Sequence, residues 1–119
     1  MKGLFINAKE ETVTEIELKE GASARVDQMN EIIGSRCFTA VRMRNGDFLY
    51  VDDEGLLDIN ADSKFIAIQD YPQPLAGNGI IIGPEVEGDQ YPDGYTMQNA
   101  QTKKDFPIMF LNVHQVMGI

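Results

Sequence analysis

The side chains with the widest chemical repertoire are scarce in this chain of 119 residues: one cysteine, Cys37, and one histidine, His114. A thiol becomes a nucleophile when a base lies within hydrogen-bond reach, and His114 is the sole obvious candidate. No motif links the two. Cys37 lies in the apolar-leaning stretch CFTAV, where a thiol is expected to be inert packing, and His114 lies in FLNVHQVM, where a strand end is expected. A single cysteine excludes a disulfide within the chain and any multi-cysteine zinc site. With no acid–base constellation, the residues point away from an enzyme and call for no cofactor.

Carboxylates are the abundant chemical group. The stretch LYVDDEGLLDINADSK carries Asp52, Asp53, Glu54, Asp58 and Asp62 against one base, Lys64. Asp58-x-Asn60-x-Asp62 repeats the first three ligand positions of an EF-hand loop. Ser63, however, stands where that loop needs its glycine, and Gln69 stands where a bidentate glutamate closes the coordination. Any calcium binding there is expected to be weak, and no metal site is assigned. Asp52 and Asp53 could supply an acid and a base only from one side of a strand, and strand neighbours point to opposite faces.

Glycines supply the other candidate. AGNGIIIG, with Gly77, Asn78, Gly79 and Gly83, raises the prospect of a backbone cradle for a phosphate or nucleotide. It lacks the spacing of a P-loop or a dinucleotide fingerprint. Glu85, Glu87 and Asp89 follow it, so an anion would meet repulsion. The competing reading is glycines that permit tight turns around a buried strand.

The elements that must position these groups follow from periodicity. GLFINA and TVTEIEL, joined by NAKEE, read as an antiparallel hairpin. In GASARVDQMNEIIG, Ala22, Val26, Met29 and Ile33 share one helical face, and Gly34 suits a left-handed cap. Asn45-Gly46 between CFTAVRMR and DFLYVDD predicts a two-residue type I′ hairpin. That turn would oppose Met43 to Phe48 and Val41 to Tyr50 on a core face. Arg42, Arg44, Asp47, Leu49, Val51 and Asp53 would then fall on a half-exposed one. NADSKFIAI reads as a short helix capped by Asn60 or Asp62, or as a strand in its second half. QDYPQPLAGNG and PEVEGDQYPDGYT read as loops, and IIIG as a buried strand. Thr102 and Asp105 suit a capping box for one helical turn before the last strand, PIMFLNV. The expectation is one α+β domain over residues 1–119: a small mixed, mostly antiparallel sheet packed by one main helix and one or two short helices.

Charge is strongly segregated. The net charge is −9, and from Asn45 to Tyr95 eleven acids, among them Asp70, Glu85, Glu87, Asp89 and Asp93, meet one base. That segment is −10 and the remainder, with eight acids and nine bases, is +1. Such a segment repels nucleic acids and anionic membranes and attracts basic surfaces. Same-face residues two apart on a strand lie roughly 6.6 Å apart, close to the spacing of phosphates along a DNA strand. Carboxylates on a strand edge and adjoining loops can therefore resemble a phosphate row, although acidic loops also serve solubility alone. No apolar run approaches bilayer length, and MKGLFINAKEE turns acidic too early for a signal peptide, so a cytoplasmic protein is expected.

The order of features, a strand pair, a helix, YVDDEGLLDIN, then GNGIIIG and a final turn and strand, resembles a family of small phage and mobile-element proteins known as domain of unknown function 3846. Asp52, Asp53, Glu54, Gly55, Asn60, Gly77, Asn78 and Gly83 carry the resemblance. It implies an accessory protein at work in a bacterial host cell and brings no catalytic residues. Together these readings point to a basic, nucleic-acid-binding host protein as partner. The expected contacts are Asp52, Asp53, Glu54, Asp58, Asp62, Glu85, Glu87, Asp89 and Asp93, and a DNA-mimic inhibitor of a defence system is one form such a protein takes. The alternative is a small-molecule or nucleotide module with a pocket near Gly77, Asn78, Gly79 and Gly83. A homodimer is compatible with either.

Overall fold

The computed structural model describes residues 2–43, 47–55, 59–68, 71, 73–82 and 108–117. Two hydrophobic alternations open the chain as β1 (Lys2–Asn7) and β2 (Thr12–Glu17), paired antiparallel with Leu4 opposite Glu15. The Asn7 side chain accepts the Glu10 N–H at 3.0 Å and so shapes the turn between them.

Helix α1 (Ala22–Ile33) ends where the sequence places its stop. Gly34 takes the left-handed conformation at φ 80°, and its N–H donates to the Asn30 carbonyl. Met29 and Ile33 are buried as expected, whereas Val26 is 42% exposed. The seam that meets the sheet runs instead through Met29, Ile32 and Ile33. Gln28 fastens the helix to the strand before it: its Oε1 accepts the Lys19 N–H, and its Nε2 donates to the Glu17 carbonyl.

Strands β3 (Phe38–Arg42) and β4 (Phe48–Asp52) form the second hairpin, in a different register from the one Asn45-Gly46 suggests. Arg42 opposes Phe48 and Val41 opposes Leu49, and the Met43 N–H donates to the Asp47 carbonyl. Three residues therefore separate the last bonded pair, and Asn45-Gly46 lies outside the described residues. The shift by one residue exchanges faces. Val41, Met43, Leu49 and Val51 share one buried core cluster, while Tyr50 and Phe38 pack on the helix side. Asp47, expected on a half-exposed face, is fully buried.

The ambiguous NADSKFIAI resolves as a turn followed by strand β5 (Lys64–Ile68). Asn60 does not cap a helix. Its Oδ1 accepts the Asp62 N–H, and its carbonyl accepts the Ser63 N–H. Within the expected loop lies a two-residue strand, β6 (Leu75–Ala76). The isoleucine run forms β7 (Gly79–Ile82), buried throughout. The last strand is β8 (Ile108–Asn112), followed at once by the short helix α2 (Val113–Met117). The capping box at Thr102 and Asp105 lies outside the described residues.

Two antiparallel sheets result. The larger has strand order β2-β1-β7-β4-β3, the smaller β6-β5-β8. They stack with α1 into three layers, an α+β fold. Between the sheets, Leu4, Ile6, Val41, Met43, Leu49, Val51 and Ile81 meet Ile66, Ile68 and Ile108. Between the larger sheet and α1, Ile80 and Ile82 meet Leu18, Met29 and Ile33. Strand β7 is thus covered on both faces, which explains why it reads as an unbroken apolar run instead of an alternation.

Candidate functional site

The acidic stretch emerges at one end of the larger sheet. Strand β4 delivers Asp52, and Asp53 to Gly55 form the turn that follows it. The Asp53 N–H donates to the Cys37 carbonyl, and the Gly55 N–H donates to the Asp52 carbonyl. The Asp52 side chain does not project freely. Its Oδ1 accepts the Glu54 N–H at 2.9 Å, a local bond that holds the turn closed. Glu54 meets Arg36 in a two-oxygen ion pair, 2.9 Å and 3.2 Å from its nitrogen, while Asp53 is exposed. Since β4 lies between β7 and β3, these carboxylates sit at a strand's end and not along a sheet edge. Gly55 is required by close packing: a Cβ there would come within 3.1 Å of the Ala76 carbonyl oxygen.

That contact closes one wall of a cleft of about 310 Å³ between the acidic turn and β6. Asp52, Asp53 and Glu54 line it together with Tyr71, Gln73, Pro74 and Leu75, and Thr39 and Val51 contribute to the lining. Among the described residues the lining holds no cation, and Glu54 is paired with Arg36; an acidic turn beside Tyr71, Pro74 and Leu75 suits the stem and head of a basic side chain.

The glycine-rich stretch borders a second, more open cleft of about 580 Å³. Ala8, Lys9, Ala61, Asp62, Lys64, Gly77 and Asn78 are among its lining residues. Asp62 thus lines a different cleft from Asp52–Glu54. Here the glycines and Asn78 have identifiable structural work. Gly77, at φ 84°, donates its N–H to the Lys64 carbonyl, and Asn78 Oδ1 accepts the Ala8 N–H at 2.8 Å. Gly79 is buried in the strand, where a Cβ would lie 2.8 Å from Leu49 Cδ1. The Gly77 amide is therefore committed to the fold and not turned toward a ligand. Asp58, Gly83, Glu85, Glu87, Asp89 and Asp93 lie outside the described residues.

Cys37 is exposed, contrary to its expected packing, because it precedes β3 at the rim of the sheet. His114 is exposed in α2, one element beyond the expected strand end. Among the described residues, no group of three or more His, Cys, Asp or Glu is placed to hold a metal ion, and no helix is long and apolar enough to cross a membrane. The aromatic and proline lining beside the carboxylates was not legible in advance. Its signal, YPQPL, reads locally as loop punctuation and gains meaning only when β6 brings it beside Gly55.

Comparison with family models, curated proteins and solved structures gave no match.

Proposed function

We propose that this chain binds a basic surface of a nucleic-acid-binding protein through the cleft at Asp52, Asp53 and Glu54, as an accessory protein that occupies the site where that partner would take DNA or RNA. The observation that carries this reading is an acidic turn, Asp52 to Glu54, that lines one cleft together with Tyr71, Pro74 and Leu75, within a segment of net charge −10. A cationic side chain entering there gains charge complementarity and packs its stem against Tyr71, Pro74 and Leu75. The resemblance to phage and mobile-element proteins supplies a cellular setting: a bacterial host whose defence factors carry such surfaces.

The test uses two matched baits in bacterial lysate, the wild-type chain and the Asp52→Asn/Asp53→Asn/Glu54→Gln variant. Proteins held by the first and not the second, released by moderate salt, are expected to be nucleic-acid-binding. A purified partner of this kind should bind the variant at least tenfold more weakly, a loss of about 1.4 kcal/mol. Equal binding to both baits would remove the acidic cleft from the interaction.

A second reading rests on the other cleft, where Lys9 and Lys64 line the space beside Gly77 and Asn78. Two cations against one carboxylate, Asp62, in an open concavity suit a small anion or a nucleotide. It predicts a rise in melting temperature with ligand by mass action, lost in Lys9→Ala/Lys64→Ala and untouched by the acidic substitutions. A nucleotide panel that leaves the wild-type melting temperature unmoved would remove it.

A further inference from the structure

The larger sheet has two edges, and they differ in chemistry. Strand β2 carries Glu15 and Glu17, whereas β3, Phe-Thr-Ala-Val-Arg, carries no carboxylate and one cation. Backbone direction along β3 follows from two bonds. The Met43 N–H donates to the Asp47 carbonyl, and the Asp53 N–H donates to the Cys37 carbonyl. Bonded pairs alternate in an antiparallel ladder, so residues 37, 39, 41 and 43 turn their backbone groups toward β4. Phe38, Ala40 and Arg42 turn theirs outward. Ala40 and Arg42 are exposed, and no described strand covers this edge.

We infer that β3 is the self-association surface of this protein, pairing antiparallel with β3 of a second copy about a two-fold axis at Ala40. The outward groups are symmetric about that residue. Ala40 would oppose Ala40, and Phe38 would oppose Arg42 of the second copy, using all three outward-facing positions. The choice of occupant rests on charge and on the place of Phe38 and Arg42 along the edge. Phe38 pairs within its own chain with Asp52, so one row across the joined sheet would read Asp52, Phe38, then Arg42 of the second copy. With strands about 4.8 Å apart, that arginine crosses the Phe38 ring toward the Asp52 carboxylate, a cation–π contact continued into a charge pair. The same row repeats on the other side of the axis. Pairing about a two-fold axis uses the β3 edge of both copies at once, so the assembly closes as a dimer.

The experiment is sedimentation equilibrium at tens of micromolar, with the wild type expected at twice the 13.3 kDa chain mass. Ala40→Pro removes an outward N–H that the monomer's own ladder does not use, so it should yield a folded monomer. Ala40→Lys sets like charges on the axis and should raise the dissociation constant by at least tenfold, which serves if the proline variant fails to fold. In a Cys37→Ser background, Ala40→Cys should oxidise to a covalent dimer under mild oxidant, whereas Thr39→Cys should not. A wild-type monomer, a dimer indifferent to Ala40→Lys, or an Ala40→Cys chain that does not cross-link would each overturn the assignment.

Discussion

Asn78 and Glu54 show how differently two polar side chains near the clefts contribute. The Asn78 amide oxygen joins β1's end to β7's beginning across 70 residues of chain, accepting an N–H from a partly buried position. Removing that acceptor in Asn78→Ala leaves the Ala8 N–H without it and should lower stability by about 1 kcal/mol, read from urea unfolding. Asn78→Asp keeps the oxygen and should lose less. Glu54, by contrast, meets an Arg36 side chain that is 87% exposed. An ion pair so open to water contributes about 0–1 kcal/mol. Glu54→Gln should therefore leave the urea midpoint nearly unchanged, which makes the charge-neutralising variant a fair test of binding and not of folding. A midpoint that falls steeply would mean the turn depends on this pair.

At the scale of elements, the sequence made the strands, the helix and its glycine stop readable, and the hairpin's facing was not. Asn45-Gly46 is a strong local signal, yet the observed pairing of Arg42 with Phe48 is one residue away from what a two-residue turn imposes. Periodicity could not correct the error, since β4 is covered on both sides: Leu49 and Val51 face the smaller sheet while Tyr50 packs toward α1. An alternation between two apolar environments carries no label saying which face is inside. Close packing against the smaller sheet makes Gly79 a sensitive position. A methyl group there would meet Leu49 Cδ1 at 2.8 Å and Ile66 Cδ1 at 3.3 Å, pressing on both strands of its surroundings at once. Gly79→Ala should cost about 1–3 kcal/mol, measurable as a lower melting temperature. A neutral result would show that the two sheets can slide apart to admit a methylene-sized group.

For the whole molecule, the segregation of charge was fully legible as a sum, while its arrangement was not. The Asp52–Glu54 turn and Asp62 belong to one acidic stretch of sequence but line different clefts. Only tertiary contact decides which carboxylates can act together, because each cleft is completed by residues farther along the chain, Tyr71 to Ala76 in one and Gly77 and Asn78 in the other. The strand order β2-β1-β7-β4-β3 also has a bearing on how the protein is made. The two hairpins that flank β7 leave the ribosome first, and neither pairs with the other directly. The strand that joins them comes at Gly79–Ile82, so until then β1 and β4 each wait with a row of unfilled backbone groups. The larger sheet cannot close before this central strand is available, a topology of distant pairings that favours slow folding. During that interval the nascent chain is exposed to capture by any extended segment of similar pattern, and chaperone demand should peak before the isoleucine strand emerges.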